Sequence, residues 1–161
     1  MRQSLTSDSV ERFIHASPER LYDIVSDVTR TPELSPDIVR CVWTGDATGP
    51  TVGARFRATN KFGRGPRVSN RPTVITAESA REFAFSRTAP FSGTLEWRYR
   101  FVPELAGTRV TESYTVIKPV HAIGWFMLGT MKGSRDRKRE LRESMRVTLQ
   151  RLATLAGDST N

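Results

Sequence analysis

The stretch that decides the fold reads Thr94-Leu95-Glu96-Trp97-Arg98-Tyr99-Arg100-Phe101. Large apolar side chains occupy every second position, and polar or charged side chains stand between them. Because successive side chains of a β-strand point to opposite faces, this period of two predicts a strand with one buried face. Similar alternation recurs from residue 56 to residue 118. The stretch therefore predicts an antiparallel sheet with one apolar face.

The last part of the chain changes to a helical period. Between residues 134 and 156 the apolar side chains recur at spacings of three and four, with arginines and glutamates around them, which predicts one long amphipathic helix. The predicted buried stripe consists of Leu141, Met145, Thr148, Leu149, Leu152 and Ala156. The apolar face of the sheet and this stripe must bury each other. A sheet wrapped around a helix indicates a container more than an enzyme with an open catalytic crevice.

The order of the remaining elements completes the predicted fold. A strand at residues 10–15 precedes a short helix capped by Ser17, with Pro18 at its first position, and a second short helix that Pro36 ends. Six strands follow, at residues 38–44, 54–62, 68–77, 82–89, 93–102 and 109–118. The predicted fold class is α+β: a seven-stranded antiparallel sheet around a long C-terminal helix, with two short helices after the first strand.

Length and composition limit the class of protein. The 161 residues predict one domain over residues 1–157 and a disordered tail at residues 158–161. The single cysteine, Cys41, excludes an internal disulfide framework. Residues 1–12 lack the apolar run of a signal peptide, and no stretch approaches the ~20 apolar residues that span a bilayer. We expect a soluble, cytoplasmic protein that is a monomer or a homodimer.

The positive charge of the chain is unevenly distributed. The net charge is +8, and the segment between residues 55 and 71 contains basic residues but no acidic one. We name this set the basic patch; it comprises Arg55, Arg57, Lys61, Arg64, Arg67 and Arg71. One interpretation is solubility and surface ion pairs. The other is an acidic partner, namely ribosomal RNA, an anionic membrane surface or an acidic carrier protein.

Five segments, in this order and spacing, carry a resemblance to a known superfamily. They are residues 16–22 (ASPERLY), 26–36 (SDVTRTPELSP), 53–56 (GARF), 107–113 (GTRVTES) and 145–155 (MRVTLQRLATL). With these landmarks the chain resembles the Bet v 1-like, START-like (SRPBCC) superfamily, specifically its polyketide cyclase/dehydrase and lipid-transport branch. The resemblance extends over residues 9–156, which is nearly the whole chain.

The resemblance implies a helix-grip fold, with a curved sheet holding the terminal helix and a long apolar cavity between them. Members of the superfamily bind lipids, sterols, polyketides or plant hormones, and some are cyclases. Sheet and helix phase then predict the residues that bind a ligand: Phe56, Phe83, Phe85, Trp97, Tyr99, Phe101, Glu112, Tyr114, Leu141, Met145 and Leu149. Alternation alone does not distinguish this hollow interior from a filled core, so both interpretations stay open.

Glu112 is the most unusual position in the predicted sheet. It shares its phase with Val110 and Tyr114, so a regular strand points its carboxylate into the apolar interior, where an unpaired charge is costly. One hypothesis is that Glu112 orients a ligand or acts as acid and base in an aldol-type cyclisation, with Tyr99 or Tyr114 as hydrogen-bond partner. The alternatives are a bulge that turns Glu112 outward or a structural ion pair, for which Arg87 is the candidate.

A second apolar segment lies between sheet and terminal helix, at residues 123–131. It is either the start of the helix packed on the sheet, or a lid or membrane contact in which Trp125, Phe126 and Met127 take part. The two histidines, His15 and His121, have no metal-ligand spacing and no nucleophile motif beside them. Neither a metal nor a nucleotide cofactor is expected.

These patterns lead to two functional expectations of different class. The first is binding of a hydrophobic small molecule, such as a lipid or a polyketide, in an internal cavity, with transport or cyclisation as further options; an enzyme of this type would have a polyketide cyclase/dehydrase-like activity. The second is a protein resembling the ribosome-association toxins, which acts on translation through its basic surface. No base-stacking aromatic residue is evident on the basic face, which makes binding of a nucleic acid the less favoured interpretation.

Overall fold

The structure, a computed structural model, describes residues 6–61, 63–89, 93–118 and 136–158. Its elements, in chain order, are β1 (Ser7–Ile14), α1 (Pro18–Ser26), a 3₁₀ turn (Val28–Arg30), α2 (Thr31–Leu34), β2 (Ile38–Trp43), β3 (Phe56–Lys61), β4 (Arg67–Asn70), β5 (Thr73–Glu78), β6 (Glu82–Ala89), β7 (Gly93–Glu104), β8 (Gly107–Lys118) and α3 (Arg137–Leu155).

The strands form two antiparallel sheets that meet at one corner. Five strands pair in the order β1-β8-β7-β6-β5, and three pair in the order β2-β3-β4. The sheets are joined where Arg55 bridges Thr73, beside a 2.8 Å hydrogen bond from the Val74 N–H to the Ala54 carbonyl oxygen. Together with the long C-terminal helix α3, these antiparallel sheets confirm the predicted α+β helix-grip class.

The number of strands differs from the prediction. The single strand predicted over residues 68–77 is two strands, β4 and β5, so the described residues contain eight strands and not seven. Pro72 lies between them, and a proline has no N–H with which to continue a ladder of hydrogen bonds. Its carbonyl oxygen instead accepts a 3.2 Å hydrogen bond from the Phe56 N–H. The chain thereby passes from one sheet to the other at this residue.

The two short helices begin where the sequence predicts. The Ser17 hydroxyl accepts a 3.2 Å hydrogen bond from the Arg20 N–H, which caps α1, and Pro18 is its first residue. Tyr22 on α1 packs edge-on against Phe101 of β7, with ring centroids 6.0 Å apart. The Arg20 guanidinium donates a 3.0 Å hydrogen bond to the Ala156 carbonyl oxygen, so α1 also holds the C-terminal end of α3.

Helix α3 begins slightly later than predicted. It starts at Arg137 and is capped by Asp136, whose Oδ1 accepts a 3.0 Å hydrogen bond from the Arg139 N–H; residues 134 and 135 lie outside the described part. Its buried residues are five of the six predicted ones with Ala153 added; the sixth, Ala156, is the buried C-cap residue that follows the helix. After the helix, the Asp158 carboxylate accepts a 3.0 Å hydrogen bond from the His15 N–H, although the sequence assigned residue 158 to the tail.

The apolar interior is divided into two clusters. The larger lies among α1, α2, the sheets and the C-terminal half of α3, and includes Leu21, Phe101 and Leu152. The smaller contains Leu95, Tyr114, Leu141 and Met145. Residues of both clusters border the same hollow, so the interior between the sheet and α3 is not fully packed.

Candidate functional site

The hollow is a cavity between the sheets, the short helices and α3. The cavity has a volume of about 90 Å³. Its aromatic walls are Phe56, Phe83, Phe85, Trp97 and Tyr99. Its polar wall residues are Thr31, Ser35, Asp37, Asn60, Asn70, Arg87, Glu112, Arg137, Ser144 and Thr148.

Strand register explains why these side chains come together. Phe83 of β6 lies opposite Tyr99 of β7, which lies opposite Glu112 of β8. Directly opposite residues point to the same face of a sheet, so these three form one row across it. Phe85, Trp97 and Tyr114 form the next row, and Arg87 lies one row further, opposite Leu95.

The carboxyl group of Glu112 is buried, and one of its two oxygens has a hydrogen-bond partner among the described residues. β8 pairs with β1 and β7 in regular register around Glu112, so no bulge turns it outward, and the residue is 3% exposed. The Tyr99 hydroxyl donates a 2.8 Å hydrogen bond to Oε1. No hydrogen-bond partner of Oε2 is found in the described structure. One oxygen of the carboxyl group therefore remains available to a ligand.

Burial makes Glu112 a neutral acid at neutral pH. Desolvation raises the pKa of Glu112 to about 8, although the hydrogen bond from Tyr99 acts in the opposite direction. Burial and the neighbouring carboxyl group raise the pKa of Tyr99 well above its ordinary value. Both groups therefore keep their protons at neutral pH, and a neutral carboxyl group is a hydrogen-bond donor as well as an acceptor.

Arg87 does not pair with Glu112, so the ion pair considered from the sequence is wrong. No salt bridge links the two within the described ranges; Arg87 Nε is buried without an acceptor, and Glu112 Oε2 without a partner. Arg87 lies two rows away, which prevents the contact. Burial lowers the pKa of Arg87 to about 10; repulsion from Arg137 acts in the same direction, and attraction by Asp37 opposes it. Arg87 therefore remains a cation at neutral pH.

The structure places only part of the predicted ligand-binding set at the cavity. Phe56, Phe83, Phe85, Trp97, Tyr99, Glu112 and Leu141 line it. The other four are buried elsewhere: Phe101 and Leu149 in the larger cluster, Tyr114 and Met145 in the smaller one. Phe101 lies one row beyond Tyr99 on the same face, where Tyr22 of α1 covers it. That any of these side chains binds a ligand stays a prediction.

Sequence reasoning missed two buried asparagines in the cavity wall. Asn60 of β3 is 4% exposed and Asn70 of β4 is 8% exposed. Asn60 Nδ2 donates a 3.3 Å hydrogen bond to the Val68 carbonyl oxygen, whereas Asn70 Oδ1 is buried without a partner among the described residues. A signal was present for Asn60, since it follows Phe56 and Ala58 on the inward phase of its strand.

The basic patch lies outside the cavity. All six of its residues are exposed, and none forms a salt bridge within the described part of the chain; Arg55 donates a 3.4 Å hydrogen bond to the Thr73 hydroxyl. Register places Arg40 of β2 beside Thr59 on the same outer face. Thr59 and Ser69 lie there side by side, with their hydroxyl oxygens 3.1 Å apart. This face is therefore basic and polar.

Other predicted features fall outside the described residues or have no counterpart within them. Trp125, Phe126 and Met127, the predicted lid or membrane contact, lie in the range 119–135, which the structure does not describe. Within the described ranges, no helix has the length and apolarity to cross a membrane. The same ranges contain no group of three or more His, Cys, Asp or Glu side chains suited to a metal ion.

An antiparallel sheet that holds a long terminal helix, with a partly apolar cavity between them, defines a Bet v 1-like, helix-grip protein. The chain belongs to the family described as polyketide cyclase / dehydrase and lipid transport, whose sequence model matches residues 7–157. This membership supports ligand binding or a cyclase-type function as the general class of activity. None of the curated proteins compared with the chain matches it.

Three solved structures illustrate the likeness in fold. The di-domain ARO/CYC StfQ from the steffimycin biosynthetic pathway matches with a TM-score of 0.76 and 13% identity over 94% of this chain and 50% of StfQ. TTHA0849 from Thermus thermophilus gives 0.70 and 19%, over 96% of this chain and 99% of that one. Ara h 8.0201 gives 0.67 and 11%, over 93% and 96%. The chain thus spans about half the length of StfQ, and at these identities the likeness concerns the fold alone.

Proposed function

We propose that this protein binds a hydrophobic small molecule, such as a lipid or a polyketide, in the cavity between the sheet and α3. The observation that carries the proposal is a hollow with aromatic walls and buried polar atoms without partners. Protein interiors are normally close-packed, and their buried polar groups are normally hydrogen-bonded. Ligand sites combine apolar walls with a few polar groups that fix orientation, as found here.

Glu112 and Tyr99 are the polar pair that orients the ligand. The Tyr99 hydroxyl holds Oε1, so the proton of the neutral carboxyl group lies on Oε2, the atom without a partner in the described structure. From there it donates a hydrogen bond to a carbonyl or hydroxyl oxygen of the ligand. The aromatic side chains of Phe85 and Trp97 contact the apolar body.

The same pair is suited to cyclisation of a ligand with several carbonyl groups. In an aldol-type step, the enol carbon of one carbonyl group attacks the carbon of a second, and a carbon–carbon bond forms. Glu112 gives its proton to the oxygen of the second carbonyl group, and its carboxylate then accepts the proton of the enol hydroxyl. The carboxyl group is restored, and no other reactant is needed.

Mass spectrometry of organic extracts tests the proposal, using protein purified under native conditions from its own host. We expect an apolar compound in stoichiometric amount. The control is a variant in which the cavity is filled, Ala58→Leu, because Ala58 is 3% exposed and lines the cavity. A compound retained equally by this variant, or wild-type protein that is empty and binds no apolar probe, would contradict the proposal.

The basic patch supports an acidic carrier protein that delivers the ligand. Unpaired arginines on an exposed face attract a complementary acidic surface and accelerate encounter. Single-stranded nucleic acid is bound through aromatic side chains on which bases stack, and the outer face of β2–β4 shows none among its described residues. Ribosomal RNA is therefore the less favoured partner.

Charge reversal on this face tests the partner. We expect Arg57→Glu with Lys61→Glu to weaken salt-dependent binding to an acidic carrier protein, while ligand retention is unchanged. Co-sedimentation with ribosomes, or binding to anionic vesicles, in the absence of carrier binding would instead support the alternative partners. Equal carrier binding by the variant and the wild type would contradict a role for the patch.

A further inference from the structure

The cavity has two polar ends separated by aromatic side chains. One end is the Glu112 and Tyr99 pair, which lies deep in the fold and is 3% and 9% exposed, respectively. The other is Arg87, which is part-buried and lines the same cavity. Phe85 and Trp97, directly opposite each other in register, lie in the row between them.

The strand register gives the spacing of the two ends. On β6, the residue in the row of Glu112 is Phe83, and Arg87 comes four residues later. At about 3.3 Å per residue, the two rows are roughly 13 Å apart along the strands, and two strand spacings separate β6 from β8 by about 10 Å. Together these two offsets separate the two backbone positions by roughly 16 Å. Both side chains line the cavity, so a ligand that reaches both is shorter than this distance.

Each end has one unused hydrogen-bonding atom. Arg87 Nε and Glu112 Oε2 are both buried without a partner in the described residues. The neighbouring cation, Arg137, forms a 3.4 Å salt bridge with Glu140, and the Asp37 carboxylate accepts a 3.3 Å hydrogen bond from the Ser144 hydroxyl. Leaving a buried donor unsatisfied is unfavourable, more so when it is charged, so Arg87 Nε can bind an acceptor that the described residues do not supply.

The two ends favour different chemical groups on a ligand. A guanidinium binds carboxylates and other oxyanions with charge-assisted hydrogen bonds. A neutral carboxyl group favours a carbonyl oxygen, and it would repel an anion once ionised. The row of aromatic side chains between them favours a flat, apolar body.

We propose that the cavity is selective for an elongated keto acid, with its carboxylate at Arg87, its carbonyl oxygen at Glu112 and its apolar body against Phe85 and Trp97. This inference rests on the proposed function, because it names the class of ligand that the same cavity takes. It adds an orientation, with the acid end near Arg87 and the carbonyl end buried.

A matched series of rigid probes tests the inference on the wild-type protein. The keto acid is naphthalene with a carboxylate and an acetyl group at opposite ends. One analogue has ethyl in place of acetyl, a second has methyl in place of carboxylate, and dimethylnaphthalene has neither polar group. We expect each polar group to strengthen binding by about 10- to 100-fold, since charge-assisted and buried hydrogen bonds contribute this much. Quenching of tryptophan fluorescence measures the affinities.

Two variants assign each group to its end. Arg87→Gln should make the carboxylate and methyl probes bind equally, whereas Arg151→Gln, at an exposed position of α3, should bind as wild type. Glu112→Leu should make the acetyl and ethyl probes bind equally.

The pH dependence of binding gives a separate test of Glu112. Glu112→Gln keeps an N–H donor and should bind the keto acid at all pH values, whereas binding by the wild type should weaken as pH rises through about 8. The other charged or titratable groups that line the cavity are Tyr99 on β7, Arg87 on β6, Arg137 on α3 and Asp37 before β2.

The outcomes separate this inference from the proposed function. Equal affinity for all four probes would overturn the two-ended selectivity and leave the cavity as a general apolar site. If the wild type bound none of the four probes, both the two-ended selectivity and the proposed binding of apolar ligands would be overturned. Because the probe series uses unmodified protein, misfolding of a variant does not affect this test.

Discussion

The Tyr99 hydroxyl lies 2.8 Å from Oε1 of Glu112, across two neighbouring strands in the buried interior. The bond fixes the direction of the carboxyl group and leaves its second oxygen unpartnered within the described structure. It also lowers the pKa of Glu112, against the larger effect of burial. Tyr99 thus controls both the position and the acidity of the group that the proposed function depends on.

The first prediction concerns pH and stability. The pKa of Glu112 is about 8 in the folded protein, against an ordinary value of 4.5. Between these values only the unfolded chain ionises, so the free energy of unfolding should fall as pH rises from 4.5 to about 8, by an amount on the order of 5 kcal/mol. Denaturant titrations should show this fall in wild type and not in Glu112→Gln. Parallel profiles for the two proteins would contradict the raised pKa.

The second prediction separates Tyr99 from Tyr114. Tyr99→Phe removes a buried hydrogen bond, and we expect a loss of roughly 1–3 kcal/mol in the free energy of unfolding together with a higher pKa for Glu112. The matched control is Tyr114→Phe, because the buried Tyr114 hydroxyl has no partner in the described residues. Its removal should leave stability unchanged or raise it. Infrared spectroscopy of the carboxyl stretch follows the ionisation of Glu112; an unchanged midpoint in Tyr99→Phe would oppose the coupling.

The third prediction concerns the hollow itself. Ala58 and Thr59 are neighbours on β3, but Ala58 lines the cavity and Thr59 lies on the outer face. Ala58→Leu should fill part of the void and weaken binding of the naphthalene probes by at least about 10-fold, because the added side-chain atoms take up space that a probe needs. Thr59→Leu, with the same new side chain on the other face, should bind as wild type. Equal weakening by both variants would indicate a general effect on the strand.

The fourth prediction concerns the hairpin between β7 and β8, where two adjacent residues should respond in opposite directions. A Cβ atom at Gly107 would collide with the Ile14 carbonyl oxygen and lie 2.8 Å from the Phe13 ring, so Gly107→Ala should destabilise the protein by a few kcal/mol, roughly the cost of overpacking. Ala106 has φ +68°, a left-handed conformation that costs about 1 kcal/mol for alanine and little for glycine. Ala106→Gly should therefore be neutral or stabilising in thermal unfolding. A stable Gly107→Ala protein would show that β1 moves aside at this point.

The sequence predicted which face a side chain occupies better than what lies above that face. Tyr99 and Phe101 have the same phase on β7, yet Tyr99 lines the cavity while Phe101 packs under Tyr22 of α1. Alternation carries no information on the docking of a helix over the sheet. For the same reason, Met145 and Leu149 were placed on the correct face of α3 but are covered by other side chains.

The division of the sheet was also hidden by alternation. Residues 68–77 keep a strand-like pattern through Pro72. The hydrogen bond that Pro72 accepts comes from the Phe56 N–H, in another part of the chain, so the sequence pattern did not reveal it. Glu112 was located because β8 is regular on both sides of it. Its charge state followed only from the structure, since burial is a property of the surroundings.

The pairing of β1 with β8 has a consequence for when the surroundings of Glu112 are completed during folding. Val10 lies directly opposite Glu112, so one of the two strands that pair with β8 at this point comes from the N-terminal part of the chain. Closing so long a loop is entropically unfavourable, and contacts between distant residues form slowly. The meander from β5 to β8 is local and can form first, with the edge of β8 still open to water. We expect Glu112 to keep the acidity of an ordinary glutamate until the interior around it has closed, because burial is what raises its pKa.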